Sequence, residues 1–315
     1  MIEAGVPSME QAVLFPGQGA QFPGMGRNWC EGFPAARKVF EDADRILGFS
    51  LSDACWNRGE EVHRTDIAQP GILTTSVAIM TCFAERGLDP ARAPLTAGLS
   101  LGEYSALWFA GSLSFPDALR LVRLRGEAMQ RASERVPSSM TGLMGATLEQ
   151  AEALAKVGSE RGICAVANLN APGQVVLSGE LAALDEVERV AKDLGVKRAV
   201  RLTVAGGFHS ECMRSAAEEL ARALSEVEIR PPRIPFLSNV TGHPVRDPEA
   251  IRAALGRQVC ASVLWENSMR YALEHGITRF LEPGPGSVLA GLLGRIAKDS
   301  GAAPEVRNVE NPEDL

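Results

Sequence analysis

The chain has 315 residues, 45% hydrophobic and 23% charged, and a formal net charge of −7. That length supports one large domain, or a main domain with a smaller insert, and the acidic balance argues against a nucleic-acid surface, which needs basic groups. No run approaches the roughly 18 uninterrupted apolar residues of a membrane span, the six cysteines lack metal-type spacing, and the opening MIEAGVPSMEQ lacks a signal-peptide layout, so the expectation is a cytoplasmic protein with free thiols, no metal site and no membrane partner.

In chain order, AVLFPGQGAQ (12–21) reads as a buried strand running into a Gly-rich turn. APLTAG (93–98) is a second strand candidate and leads directly into GLSLG. Residues 101–110 have helical composition, and FPDALRLVRLRGEAMQRASERV is a long helix with apolar positions three and four apart, entered through Ser114, Pro116 and Asp117. From Thr141 the texture changes to four short strand candidates, TGLMGAT, ICAVANL, QVVLSG and KRAVRLTV. Helices EQAEALAKVGSE and LAALDEVERVAKDLG separate the first from the second and the third from the fourth. Strand-helix-strand-strand-helix-strand is the ferredoxin-like split unit. This places an insert domain at 133–203 inside a discontinuous main domain of 1–132 and 204–315. The chain then continues through a helix (SECMRSAAEELARALSEV), a strand (FLSN), a helix (DPEAIRAALGRQV) and a strand, Gly/Pro turn and helix (ITRFLEPGPGSVLAGLLGRIAK). Alternation of this kind predicts an α/β fold with a mostly parallel sheet covered by helices.

GLSLG between a strand and a helix has the GxSxG form of a nucleophile elbow, in which flanking glycines permit a tight turn and the serine hydroxyl projects above the sheet edge. Ser100 is therefore either a nucleophile or one more small residue in a Gly- and Leu-rich helix start. A serine nucleophile needs a base, and there are four histidines. His63 lies in a charged stretch, His243 in a turn and His275 near a helix C-terminus. His209, in VAGGFHSEC between a strand and a helix, is the candidate that a loop at a sheet edge would present. The 39 acidic residues give no basis for choosing a third triad member, and a backbone carbonyl can orient an imidazole instead. The PGQGAQ loop lacks the spacing and lysine of a phosphate cradle. It is either an ordinary turn or half of an oxyanion hole, with the Leu101 amide as the other half. Arg125 on the long helix is either a solvated helical arginine or a bidentate grip for a substrate carboxylate.

FPGQGAQ, DIAQPG, GLSLGEYSAL, LRGEAMQ, NAPGQVVLSG, GGFHS, LSNVTG and EPGPGSVLAGL occur in the order seen in the malonyl-CoA:acyl carrier protein transacylases of fatty-acid synthesis and related polyketide acyltransferase domains. The chain resembles that family over about residues 12–297. The resemblance implies an α/β-hydrolase-like domain with a ferredoxin-like insert, and transfer of malonyl from malonyl-CoA to the phosphopantetheine thiol of acyl carrier protein. Ser100 resembles the acylated serine and His209 its general base and acid. Gln258 resembles the glutamine whose main-chain carbonyl holds that histidine, and Gln18 and Leu101 the oxyanion-hole donors. Arg125 falls where the family pairs an arginine with the malonyl carboxylate, Gln69 and Asn168 where it lines the pocket, and Phe208 at a position associated with malonyl selection. No cofactor is implied beyond the two substrates, and nothing requires more than a monomer. The alternatives are a polyketide-type acyltransferase of other acyl preference and a serine thioesterase or hydrolase. The elbow departs from the commonest GHSLG at Leu99, GGFHS from GAFHS, and ASVLW from SPVRW. Lys197, Arg198 and Arg201, with Arg120 and Arg123, are candidates for a basic patch facing an acidic carrier protein.

Overall fold

The computed structural model describes residues 10–315; the leaderless reading of the N-terminus therefore rests mostly on residues 1–9, outside the described ones. Two sheets organise the chain. The larger has the order β10-β9-β1-β2-β7-β8. Its strands are β1 (Ala12–Phe15), β2 (Thr96–Gly98), β7 (Phe236–Leu237), β8 (Pro244–Val245), β9 (Arg279–Pro283) and β10 (Glu305–Val309). All neighbours pair in parallel except β7 with β8. Because strand side chains alternate faces, β1 sends Val13 and Phe15 into one apolar core and Ala12 and Leu14 into the other. Phe236 and Leu237 divide in the same way. The sheet is thus buried on both faces, as a parallel sheet covered by helices must be.

The second sheet has the order β4-β5-β3-β6, built from β3 (Ser138–Met144), β4 (Cys164–Ala171), β5 (Gln174–Glu180) and β6 (Arg198–Arg201). Every pairing in it is antiparallel. Helices Leu148–Gly158 and Leu181–Val190 pack Leu154, Leu184 and Val187 onto Leu143, Val175 and Leu177 to make its own core. This is the strand order of a ferredoxin-like unit, so the fold class expected from sequence holds. The edge strand β4 is joined to the main sheet's side of the molecule: Leu169 N donates to Val263 O at 2.9 Å and Val263 N to Ala167 O at 2.8 Å.

Several elements differ from the sequence reading. Thr65–Glu85 is a 21-residue helix that the periodicity did not reveal. It is buried all round, so its apolar residues form no stripe. It is long and apolar enough to cross a membrane, and it lies inside the protein. KRAVRLTV is a strand only over Arg198–Arg201, and Leu202–Ala205 leave the sheet to line a cleft. FLSN contributes only Phe236–Leu237, freeing Ser238 and Asn239 for the site. Trp265–Glu274 and the edge strands β8 and β10 were also not anticipated.

Candidate active site

Parallel strands bring their carboxyl ends to one edge, where ligands of open α/β sheets bind. β1 ends in the loop holding Gln18, β2 in Ser100 and β7 in Asn239. Above this edge lies a cleft of about 800 Å³, lined by Gln18, Ser100, Arg125, Asn168, Phe208 and His209 among others, with residues of both sheets' units contributing. That volume suits a small-molecule substrate.

The elbow is formed by close backbone approach. A Cβ on Gly98 would overlap the Gly102 carbonyl, and one on Gly102 the Phe15 carbonyl. Ser100 sits at φ 51° and His209 at φ 60°, the two non-glycine residues with positive φ among those described. Such backbone costs an L-residue about 1–2 kcal/mol, and strain of this kind concentrates at functional sites. Asn239 clamps the turn: its Oδ1 accepts from Ser100 N at 2.6 Å and its Nδ2 donates to Gly98 O at 2.8 Å.

Ser100 Oγ lies 2.8 Å from His209 Nε2, and His209 Nδ1 lies 2.8 Å from the main-chain oxygen of Gln258. A carbonyl oxygen only accepts, so Nδ1 carries the hydrogen and Nε2 is left to accept the serine proton. Burial, then the neighbouring Arg125 charge, pull the imidazole down to about 4, against main-chain hydrogen bonds to Gln258 and Ala261. His209 is therefore neutral at pH 7, the state a general base requires. The amide nitrogens of Gln18 and Leu101 donate no hydrogen bond among the described residues, leaving both free for an incoming oxygen.

Arg125 is 1% exposed. Its Nη1 donates to Gln69 Oε1 at 2.8 Å, and its Nη2 to Ser100 Oγ at 2.9 Å and Gln258 Oε1 at 3.0 Å. Its Nε has no partner, and no carboxylate forms an ion pair with it among the described residues. Its direct partners are neutral oxygens, and the buried acid whose charge it feels, Glu103, makes no hydrogen bond to it, so the guanidinium keeps the capacity to pair with an anion.

Residues 13–307 match the acyl transferase domain family. The chain belongs to that family. It is 42% identical over 287 residues to the malonyl CoA-acyl carrier protein transacylase of Bacillus subtilis (strain 168), with 90% of each chain covered. Among solved structures it is similar to the acyl-carrier-protein-S-malonyltransferase from Bartonella henselae, with a TM-score of 0.91, 38% identity and 97% of both chains covered. It is also similar to a structure titled as a type II PKS acyl-carrier protein in complex with its malonyl-transacylase, at TM-score 0.90, 36% identity and 97% coverage of each chain.

The remaining candidates of this acyl transferase sort by position. Gln69 is buried and bridges Arg125 to Gln18, its Nε2 lying 3.3 Å from Gln18 Oε1. Asn168 lies on β4 at the cleft, and Phe208 is buried beside His209. His63 is exposed at the cleft rim with Nδ1 3.4 Å from Gln21 Nε2, while His275 stacks on Tyr271 and His243 meets it edge-on, neither lining the cleft. Three of the five basic residues read as a candidate patch are paired with carboxylates. Arg201 pairs with Asp185 and Glu188, Arg123 with Asp66 and Glu127, and Arg120 with Asp117. Lys197 and Arg198 remain exposed. Two buried residues escaped the sequence reading, Asn239 and Glu103. Both lie inside quoted motifs, LSNVTG and GLSLGEYSAL, and a carboxylate one helical turn beyond the serine was the available signal.

Proposed function

We propose that this acyl transferase moves the malonyl group of malonyl-CoA to the phosphopantetheine thiol of acyl carrier protein through a malonyl-Ser100 intermediate. The observation that carries this is the convergence of a nucleophile–base pair and an anion-seeking cation on one hydroxyl: His209 Nε2 at 2.8 Å and Arg125 Nη2 at 2.9 Å from Ser100 Oγ. A serine activated this way acylates, and a fixed cation beside it selects an acyl group bearing a carboxylate. The relatives' names supply the donor and the carrier.

In the first half-reaction Ser100 Oγ attacks the thioester carbonyl carbon while its proton passes to His209 Nε2. The carbonyl oxygen becomes an oxyanion facing the Gln18 and Leu101 amides, each donor contributing about 3 kcal/mol in the transition state. The C–S bond then breaks, and the sulfur leaves with the proton from His209. The carrier thiol reverses these steps: it gives its proton to His209, attacks the malonyl carbonyl, and Ser100 recovers its proton as the C–O bond breaks. Gln258 keeps the imidazole in the tautomer that both halves use. Gln69 orients the guanidinium, and Asn168 and Phe208 close the acyl pocket. The thioester is already an activated acyl donor, so this chemistry calls for no cofactor or metal. The groups this chemistry uses lie within a single chain, so catalysis needs no residue from a second copy.

The test is intact-mass analysis after exposure to malonyl-CoA, followed by peptide mapping. A single malonyl adduct on the peptide containing Ser100 is expected. An adduct elsewhere, or none, defeats the proposal.

A further inference from the structure

Glu103 takes no part in the steps above, yet it is fully buried on helix Gly102–Phe109, one turn past Ser100. Its Oε1 accepts from the backbone N–H of Asn239 at 2.6 Å, and its Oε2 accepts from Gln258 Nε2. These two partners hold the reacting pair. Asn239 fixes the elbow through Ser100 N and Gly98 O. Gln258 donates to Ser100 O at 2.8 Å, accepts from Arg125 Nη2, and holds His209 Nδ1 through its main-chain oxygen. We infer that Glu103 is a positioning residue: one carboxylate, accepting at both oxygens, aligns the nucleophile's elbow with the residue that anchors the base. It rests on the Ser100–His209 pair assigned under the proposed function.

The chemistry of the contacts explains why a carboxylate is required. Burial raises Glu103 to about 7, against hydrogen bonds from Asn239, Gln258 and Ser238 and the Arg125 charge; with donors facing both oxygens this arrangement is that of the carboxylate, which presents acceptors only, so Gln258 turns its NH2 toward Glu103 and its Oε1 toward Arg125. An amide at position 103 has one acceptor and one donor. It leaves either Asn239 N–H or the Gln258 NH2 facing another donor, and a buried pair of that kind is relieved only by movement. Movement of either partner shifts Ser100 against His209, and displacements on the order of 1 Å cost about a hundredfold in rate.

The experiment compares wild type, Glu103→Gln and Glu103→Asp at pH 8, above the value of about 7 to which burial raises Glu103. It reads burst acylation by p-nitrophenyl acetate, which reports the serine–histidine pair without needing Arg125 as a carboxylate partner, alongside acylation by malonyl-CoA. Glu103→Gln is expected to acylate at least tenfold more slowly with both donors, with KM for malonyl-CoA within twofold of wild type. Glu103→Asp keeps two acceptors for the Asn239 N–H and the Gln258 NH2 and is expected to acylate p-nitrophenyl acetate faster than Glu103→Gln. Wild-type rates in Glu103→Gln, or a Glu103→Asp rate no higher than that of Glu103→Gln, overturn the inference. Should Glu103→Gln not fold, the wild-type pH profile carries the test: p-nitrophenyl acetate acylation that falls as pH drops through about 7, where Glu103 gains a proton, supports the inference, and a rate held from pH 8 to 5 overturns it. Failure of wild type to take malonyl from malonyl-CoA while p-nitrophenyl acetate still acylates Ser100 would defeat the functional reading alone.

Discussion

Replacing Arg125 with methionine keeps most of the buried volume filled and deletes the guanidinium. A malonyl carboxylate gripped by two charged N–H donors gains about 1.5–3 kcal/mol per bond. Together these amount to about 3–6 kcal/mol, or roughly 10²–10⁴ in rate at about 1.4 kcal/mol per tenfold. Acetyl has no carboxylate and loses none of this. Arg125→Met should therefore lower kcat/KM for malonyl-CoA acylation by at least a hundredfold and for acetyl-CoA by less than tenfold. The fold should survive, because the Gln69 and Gln258 oxygens left unpaired are offset by the relief of a buried cation. A second consequence concerns pH. The Arg125 charge helps to hold His209 down to about 4. The base works when neutral and is lost as pH falls through its pKa, so removing the cation raises that pKa and moves the acid limb of acetyl acylation to higher pH. The assay is single-turnover acylation followed by mass spectrometry with both thioesters between pH 4 and 8. An unchanged malonyl-to-acetyl ratio would refute the assignment of Arg125, and an acid limb that stays in place would refute the electrostatic coupling to His209.

In the wild type, the His209 imidazole followed by NMR should stay neutral from pH 7 to about 5 and take a proton only near 4; a titration near the ordinary histidine value of about 6.5 would show the imidazole is not desolvated. Ser100→Gly should form no acyl-enzyme and yet unfold at a higher temperature than Ser100→Ala, because glycine relieves the φ 51° backbone by about 1 kcal/mol; equal melting temperatures would remove the strain argument. Gly98→Ala should destabilise the protein by at least about 1–3 kcal/mol in denaturant titration, since its methyl has no room against the Gly102 carbonyl; a wild-type midpoint would contradict the packing of the elbow. Neutralising Arg123 and Arg201 should leave malonyl transfer to the carrier unchanged at low salt, because both are already paired with carboxylates; a marked slowing would restore them to a docking surface.

What the sequence disclosed follows from what is locally encoded. The ferredoxin-like unit was legible because each of its elements is short, patterned and bounded by turns, as in Thr147–Gln150, where a capping box marks the helix start. The elbow was legible because its turn is written in five consecutive residues, Gly98 answering to the Gly102 carbonyl four positions on, although Gly102 answers to the distant Phe15 carbonyl. The helix Thr65–Glu85 was not, because burial on every side erases the period that identifies a surface helix. Within the site, Arg125 could be read two ways until its surroundings were known, since a helical arginine declares its role through what it lacks: here, an exposed face and a carboxylate partner. Asn239 and Glu103 were hidden for a related reason. Their contacts span 139 and 136 positions in sequence, to Ser100 and to each other, and no local pattern records such a pairing. The pairing of Arg120, Arg123 and Arg201 was missed because counting cations in a segment leaves out the carboxylates beside them.

The fate of the acyl group after it reaches Ser100 separates transfer from hydrolysis. Malonylated enzyme, freed of malonyl-CoA, should be followed by intact mass in buffer alone and with phosphopantetheinylated acyl carrier protein. A transferase predicts that the adduct persists in buffer and passes to the carrier's thiol within the mixing time. Loss of the adduct at the same rate in both samples, with free malonate as product and an unmodified carrier, would identify a hydrolase and contradict the account.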